Sequence, residues 1–152
     1  MKKTSVYIST LFGIGYFPKA PGTAGTLFAA MVYFILPEKW IGSVYLILSI
    51  LFLSLISVLF ISKAEKKLGH DNGKIVIDEF FGYFVAMMFL PKSLLILTLA
   101  FILFRFFDIF KPEPVNVLQK LPKGWGVMAD DIMAGIYTNI CLQILLYIKY
   151  IK

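Results

Sequence analysis

One cysteine, one histidine and nine acidic residues among 152 leave few routes to chemistry. Cys141 has no partner in the chain, so no intrachain disulfide forms, and a lone thiol in an apolar run reads as filler. His70, the sole imidazole, lies in a lysine-rich loop with no second soft ligand beside it, which argues against zinc. Charge is scarce as well: 16% of residues are charged, against roughly 25% in an ordinary soluble domain. No Ser/Gly-rich linker, internal repeat or low-complexity tract divides the chain, so residues 1–152 read as one domain. Neither a basic helix nor an aromatic–basic RNA motif is present, which excludes a nucleic-acid partner.

Apolar residues are abundant instead. They make up 59% of the chain, with 15 Phe and 8 Tyr, and the mean hydropathy is +0.83. This composition suits lipid as solvent. A helix needs roughly 20 apolar residues to cross the hydrocarbon. Segments 41–62, 93–110 and 132–148 meet that requirement, and the shorter 24–36 and 75–90 read as spans with polar ends that line a site. The fold expected is an all-α polytopic membrane bundle of about five transmembrane helices. An interfacial or re-entrant helix over 6–17 precedes them. That N-terminal stretch mimics a signal peptide, but Gly13, Gly15, Pro18 and Pro21 interrupt it and no small-x-small cleavage site follows, so it is retained.

The formal charge of +6 is unevenly spread. With the N-terminus inside, the cytoplasmic side gathers Lys2, Lys3, Lys19, Lys63, Lys66, Lys67, Lys74, Arg105, Lys111, Lys120 and Lys123. The outer side keeps Lys39, Lys92, Lys149 and Lys152. That asymmetry is a positive-inside bias.

Asp78, Glu79, Asp108, Asp130 and Asp131 fall at the cytoplasmic ends of three apolar segments. Ionisable groups at a membrane edge are costly and mark function by default. Carboxylates held together repel unless a cation neutralises them, and hard oxygen ligands suit Mg²⁺ or Mn²⁺. The bland reading is that these acids form structural ion pairs with Arg105 and Lys111. Arg105, Asp108 and Lys111, spaced i, i+3, i+6, share a helix face. They are either a clamp on phosphate oxygens or a snorkelling basic end with an internal pair. Thr23, in the string Pro21-Gly22-Thr23-Ala24-Gly25-Thr26, fits an N-cap that aims free amides at an anion, although Pro-Gly-Thr is equally a common helix start. Trp125, between Gly124 and Gly126, reads as an interfacial anchor.

Taken together, the 21–26 string, Asp78-Glu79-x-x-Gly82, Arg105-x-x-Asp108-x-x-Lys111-Pro112-x-Pro114 and Gly124-x-Gly126-Val127-Met128-x-Asp130-Asp131-x-x-Ala134-Gly135 resemble the phosphatidylglycerophosphatase A family. The blocks keep the family's order from about residue 10 to residue 140, with Lys123 standing where a small residue is expected. The resemblance implies a Mg²⁺-dependent phosphatase, with Mn²⁺ as a possible substitute, in the bacterial inner membrane. It would cleave phosphatidylglycerophosphate to phosphatidylglycerol and phosphate on the cytoplasmic face. On that reading Glu79, Asp108, Asp130 and Asp131 hold the metal. Asp78 is a further ligand or the base that orients water, and Asp78, Asp108 and Asp131 are the catalytic acids. Arg105 and Lys111, with Thr23, Thr26 and nearby amides, hold the phosphoryl oxygens.

Two alternatives compete. A phosphoalcohol transferase would carry Asp-x-x-Asp-Gly-x-x-Ala-Arg on one helix, and this chain lacks that string. An ion-coupled transporter would place carboxylates at the bilayer midplane within inverted repeats, whereas these acids sit at predicted helix ends.

Overall fold

The computed structural model describes the backbone of residues 2–151. Met1 and Lys152 lie outside the described residues, as do the side chains of Lys2 and Lys149, so three of the cations used to orient the chain are not placed.

Every regular element among the described residues is helical: α1 (Lys2–Ser9), α2 (Pro21–Ile35), α3 (Val44–Leu68), α4 (Ile77–Ala86), α5 (Leu94–Phe110), the single turn α6 (Val115–Leu118) and α7 (Gly124–Ile151). Local chemistry sets most boundaries. Pro21 occupies the first position of α2, where its missing N–H costs nothing. Ser43 and Ser93 start α3 and α5 by accepting the amide protons of Leu46 at 3.2 Å and Ile96 at 3.3 Å. Lys66 and Lys67 complement the dipole in the last turn of α3. Lys111 ends α5 in a left-handed conformation, and Pro112 follows.

Three sequence expectations change here. The helix expected over 6–17 is broken after Ser9, because Leu11, Phe12 and Gly13 take positive φ, and a kinked 3₁₀ segment over Leu11–Tyr16 continues it. Thr23 is not the N-cap of α2. Ala20 holds that place, and Thr23 lies in the first turn. The five expected spans reduce to two by length: only α3 and α7 are long and apolar enough to cross a membrane among the described residues. α2 has 15 residues and α5 has 17. Segment 75–90 contains a helix of just 10 residues, which reaches about 15 Å, half the hydrocarbon thickness. It is apolar because protein surrounds it. Ile77, Phe81, Tyr83, Phe84 and Ala86 are all buried.

α4 is the element around which the others pack. Gly82 and Gly135 let it press against α7: a Cβ on Gly135 would lie 2.3 Å from the Gly82 carbonyl oxygen, and one on Gly82 would lie 2.7 Å from that of Asp131. Side chains satisfy the carbonyls where α4 ends. Asn139 donates to Ala86 and Met88, and Tyr33 donates to Met87 at 3.1 Å. Leaving one such buried acceptor unmatched costs about 1–3 kcal/mol. The Tyr83 hydroxyl, donating to the Leu97 carbonyl at 2.9 Å, fixes α4 against α5.

The helices alternate in direction, so that the starts of α2, α4 and α7 and the ends of α3 and α5 meet at one end of the molecule. Ser62 near the end of α3 accepts the Gly124 amide that opens α7, at 3.1 Å. At the opposite end Lys92 donates to the Leu36 carbonyl at 2.6 Å, joining the end of α2 to the approach to α5. The outer faces are apolar. Leu48, Phe52, Leu55 and Leu59 of α3, Ile102 and Ile109 of α5, and Ile144 and Ile148 of α7 are all exposed. Soluble monomers rarely show apolar patches beyond a few hundred Å².

Candidate active site

Four helix ends supply the site. The first turn of α4 carries Asp78 and Glu79, and the second turn of α7 carries Asp130 and Asp131. The last turns of α5 carry Arg105 and Asp108, and Gly22 and Thr26 come from the start of α2. The close packing at Gly82 and Gly135 is what brings the carboxylates of α4 and α7 together.

These residues divide into two groups. Asp78, Glu79 and Asp131 each offer a carboxylate oxygen to one cluster, with the three oxygens within 4.8 Å of one another. Asp78, Asp131 and Glu79 are 6%, 3% and 9% exposed. Each also leaves one buried oxygen with no hydrogen-bond partner: Asp78 Oδ1, Glu79 Oε2 and Asp131 Oδ2. Asp108 and Asp130, two of the four expected metal ligands, each meet a cation. Arg105 Nη1 lies 2.5 Å from Asp108 Oδ2, and Lys111 Nζ lies 2.5 Å from Asp130 Oδ2. The ion pairs offered by the bland sequence reading therefore exist, but they account for only these two acids in full.

Arg105 links the groups. Its Nη1 is 3.8 Å from Glu79 Oε1 and donates to Thr26 Oγ1 at 3.5 Å, while its buried Nε has no partner. Thr26 Oγ1 in turn donates to the Gly22 carbonyl at 2.9 Å. Gly22 forms the wall beside this arginine. A Cβ there would lie 2.3 Å from Glu79 Oε1 and 3.1 Å from both terminal nitrogens of Arg105. Sequence reading took the 21–26 string as a helix start that aims amides at an anion, and missed Gly22 as space for a carboxylate and a guanidinium. Thr23 makes no side-chain hydrogen bond to the cluster among the described residues.

Electrostatics sharpens the division. Burial, reinforced by the neighbouring Glu79, pushes the Asp78 carboxyl well above its ordinary range. Burial likewise raises Glu79, to about 7, against the lowering pull of Arg105. Lys111 is raised from its ordinary value: burial would lower it, but the bond to Asp130 and the surrounding acids outweigh that. Lys111 is therefore a cation at neutral pH. The Asp78–Glu79–Asp131 cluster lacks a comparable neutralising partner. Three buried carboxylates that bring one oxygen each within 4.8 Å of the others, and that each leave an oxygen without a hydrogen-bond partner, fit a divalent cation such as Mg²⁺ or Mn²⁺. Beside them Arg105 keeps a buried Nε without a hydrogen-bond partner. The arrangement suits a phosphoryl group held between a cation site and an arginine.

Comparison with known proteins agrees with this chemistry. Residues 7–146 match the family profile described as Phosphatidylglycerophosphatase A. A Haemophilus influenzae phosphatidylglycerophosphatase A is 38% identical over 90% of this chain and 85% of its own length. The Escherichia coli protein of that name is 35% identical over 84% of this chain and 74% of its own. A Bacteroides thetaiotaomicron protein provisionally named phosphatidylinositol-3-phosphatase is 36% identical over 95% of this chain and 96% of its own. No solved structure matches. A buried carboxylate cluster set against an arginine, within a sequence matched to this profile over nearly its whole length, places the chain in the phosphatidylglycerophosphatase A family and makes it a phosphatase.

Proposed function

We propose that the chain hydrolyses the terminal phosphate of phosphatidylglycerophosphate to give phosphatidylglycerol and inorganic phosphate, with Mg²⁺ as cofactor and Mn²⁺ as a substitute. The observation that carries this reading is the buried Asp78–Glu79–Asp131 cluster, in which Glu79 Oε1 lies 3.8 Å from Arg105 Nη1. Glu79 and Asp131 hold the cation, which when bound neutralises their charge and polarises the phosphoryl oxygens. Arg105, kept in place by Asp108 and Thr26, and Lys111, kept in place by Asp130, neutralise charge on the phosphoryl group. The amides in the first turn of α2, near Gly22 and Thr23, add the positive end of a helix dipole. Asp78, whose pKa is raised, accepts a proton from the attacking water. The water oxygen forms a bond to phosphorus as the bond to the glycerol oxygen breaks. The proton on Asp78 then passes to the leaving oxygen, so charge and atoms balance.

The molecule sits in the bacterial cytoplasmic membrane with α3 and α7 as full spans and the shorter helices inserted beside them. Its site end faces the cytoplasm. Lys63, Lys66, Lys67, Lys74 and Lys111 support that orientation, since they flank the end where the acids meet, whereas Lys92 marks the other end. A transporter reading is not favoured, because the acids gather at one end of the bundle rather than at mid-depth.

The Bacteroides relative favours a second headgroup, an inositol phosphate, cleaved by the same chemistry. Purified protein assayed for phosphate release on both lipids, with Mg²⁺ and with EDTA, tests all of this. Release from phosphatidylglycerophosphate is expected with Mg²⁺, is lost in EDTA and returns with Mg²⁺ or Mn²⁺. Full activity in persistent EDTA overturns the metal assignment, and preference for phosphatidylinositol 3-phosphate overturns the headgroup.

A further inference from the structure

An apolar groove of about 360 Å³ runs between α2 and α5. Leu27, Ala30 and Met31 line one side, and Leu97, Thr98 and Phe101 the other. The two helices that form it also carry Thr26 and Arg105, the pair that meets at the site. Leu27 follows Thr26 directly, and Phe101 lies one helical turn from Arg105. One mouth of the groove therefore opens beside the phosphate-holding arginine. The far end lies by Phe34 and Leu94, where Lys92 Nζ sits 5.5 Å from the Phe34 ring centre and bonds the Leu36 carbonyl. A cation marks each end, and the walls between are apolar. The one hydroxyl among them, on Thr98, is spent on its own backbone, donating to Leu94 at 2.8 Å.

Such a groove matches an amphiphile whose anionic group is at Arg105 and whose hydrocarbon extends away from it along the helices. We propose that it seats an acyl chain of the lipid whose phosphate is cleaved. The inference rests on the phosphatase reading above and adds a second point of attachment to it. A second apolar cavity, of about 330 Å³ and lined mainly by α3 and α7, meets the site on its carboxylate side, where Ala129 and Ile132 flank Asp130 and Asp131, and none of its lining residues comes from α5, the helix that carries Arg105. Lipid tails are as apolar as the groove, so the gain is chiefly in orientation: a chain held along α2 and α5 aims its headgroup at the site.

The test compares full-length wild-type protein with Ala30→Phe and Thr98→Phe, which fill the groove, and with Leu55→Phe, which adds the same ring to the other cavity. Each is assayed on dioleoyl and dihexanoyl phosphatidylglycerophosphate in the same detergent micelles. Filling the groove is expected to lower kcat/KM for the dioleoyl lipid about 10-fold, because the headgroup is no longer aimed at the site. Kinetics on the short-chain lipid, which cannot occupy the groove's length, should stay at wild-type values and so report a folded enzyme. Thr98 is exposed, so its replacement leaves the core intact if Ala30→Phe does not fold. Equal effects on both chain lengths, or the same effect from Leu55→Phe, overturn the proposal while leaving the phosphatase reading in place. Hydrolysis of neither lipid by wild-type protein overturns both.

Discussion

Asp108 and Asp130 differ from Asp78, Glu79 and Asp131 in how their charge is met. The first two each contact a cation of this chain at 2.5 Å. The other three leave buried oxygens without any partner. All five occupy the same end of the bundle, so position alone does not explain the difference. A buried carboxylate that lacks a partner costs several kcal/mol, and a fold keeps such groups where something from outside completes them. On the reading proposed above, the paired acids hold Arg105 and Lys111 in place, while Glu79 and Asp131 complete a cation site and Asp78 takes the proton.

The most forceful way to break this comparison is to neutralise one acid from each group. Asp131→Asn is expected to lower turnover by about 10² or more, because it removes charge from the cation site while preserving volume. Asp78→Asn should match that loss through its role as base, yet keep protection of the fold by Mg²⁺, measured as the rise in thermal midpoint on adding the ion. Asp108→Asn should also reduce kcat strongly, but through Arg105, so that its defect follows substrate phosphate binding rather than Mg²⁺ concentration. If Asp131→Asn kept near-normal kcat, the division between the groups would fail.

Lys111→Ala sharpens the comparison from the side of the cations. It removes one positive group and strips Asp130 of its partner at the same time. Turnover should fall about 10-fold or more, and excess Mg²⁺ should not restore it, because the missing charge belongs to the chain. Rescue by Mg²⁺ in a titration of initial rates would show that Lys111 and the cation act at one place.

What could be read in the sequence follows from what each residue's neighbours encode. The long apolar runs and the placement of acids at their ends fixed an all-helical chain with a charged end, and the structure has both. The depth of α4 was not legible. A stretch such as 75–90 has the same hydropathy whether lipid or protein surrounds it, and the burial of Tyr83 and Phe84 comes from α2, α5 and α7. The sorting of the acids was hidden for a different reason. Regular spacing puts Lys111 on one face with Arg105 and Asp108, but its φ of 44° ends the helix there, and Lys111 reaches α7 instead. Thr23 failed as a cap because Pro21 begins the helix before it. Family resemblance located the motif residues, and only the packing of Gly82 on Gly135 decided which of them meet.

A smaller effect is expected on stability. In cation-free protein the raised carboxyls of Asp78 and Glu79 keep their protons when folded, Glu79 up to about pH 7, whereas in the unfolded chain Glu79 ionises near the ordinary value of 4.5 and Asp78 near 3.8. Between those limits the folded state binds more protons, so stability falls as pH rises. The thermal midpoint of EDTA-treated protein in detergent should therefore drop by several degrees from pH 5.5 to pH 8. Mg²⁺ should raise it more at pH 8 than at pH 5.5. A midpoint that rises with pH in EDTA would mean that the cluster is neutralised within the chain after all.

The smallest effect is expected from Glu65→Gln and Glu113→Gln. Both residues are acidic and lie toward the same end of the molecule, so they separate membership of the cluster from mere proximity. Glu65 Oε1 lies 2.5 Å from His70 Nδ1 and accepts the Asp71 amide at 3.3 Å, which ties down the loop after α3. Glu113 meets Asn116 at 3.4 Å, and its backbone carbonyl accepts from Tyr137 at 2.8 Å. Glutamine keeps an acceptor oxygen at either position, and neither side chain touches Asp78, Glu79, Asp131 or Arg105 in any bond described above. Turnover of both variants should stay within about two-fold of wild type, because neither side chain supplies charge to the cluster or to Arg105. A severe loss in Glu65→Gln, with a normal thermal midpoint, would place the loop of His70 and Asp71 in the catalytic apparatus and move the boundary of the site beyond the four helix ends.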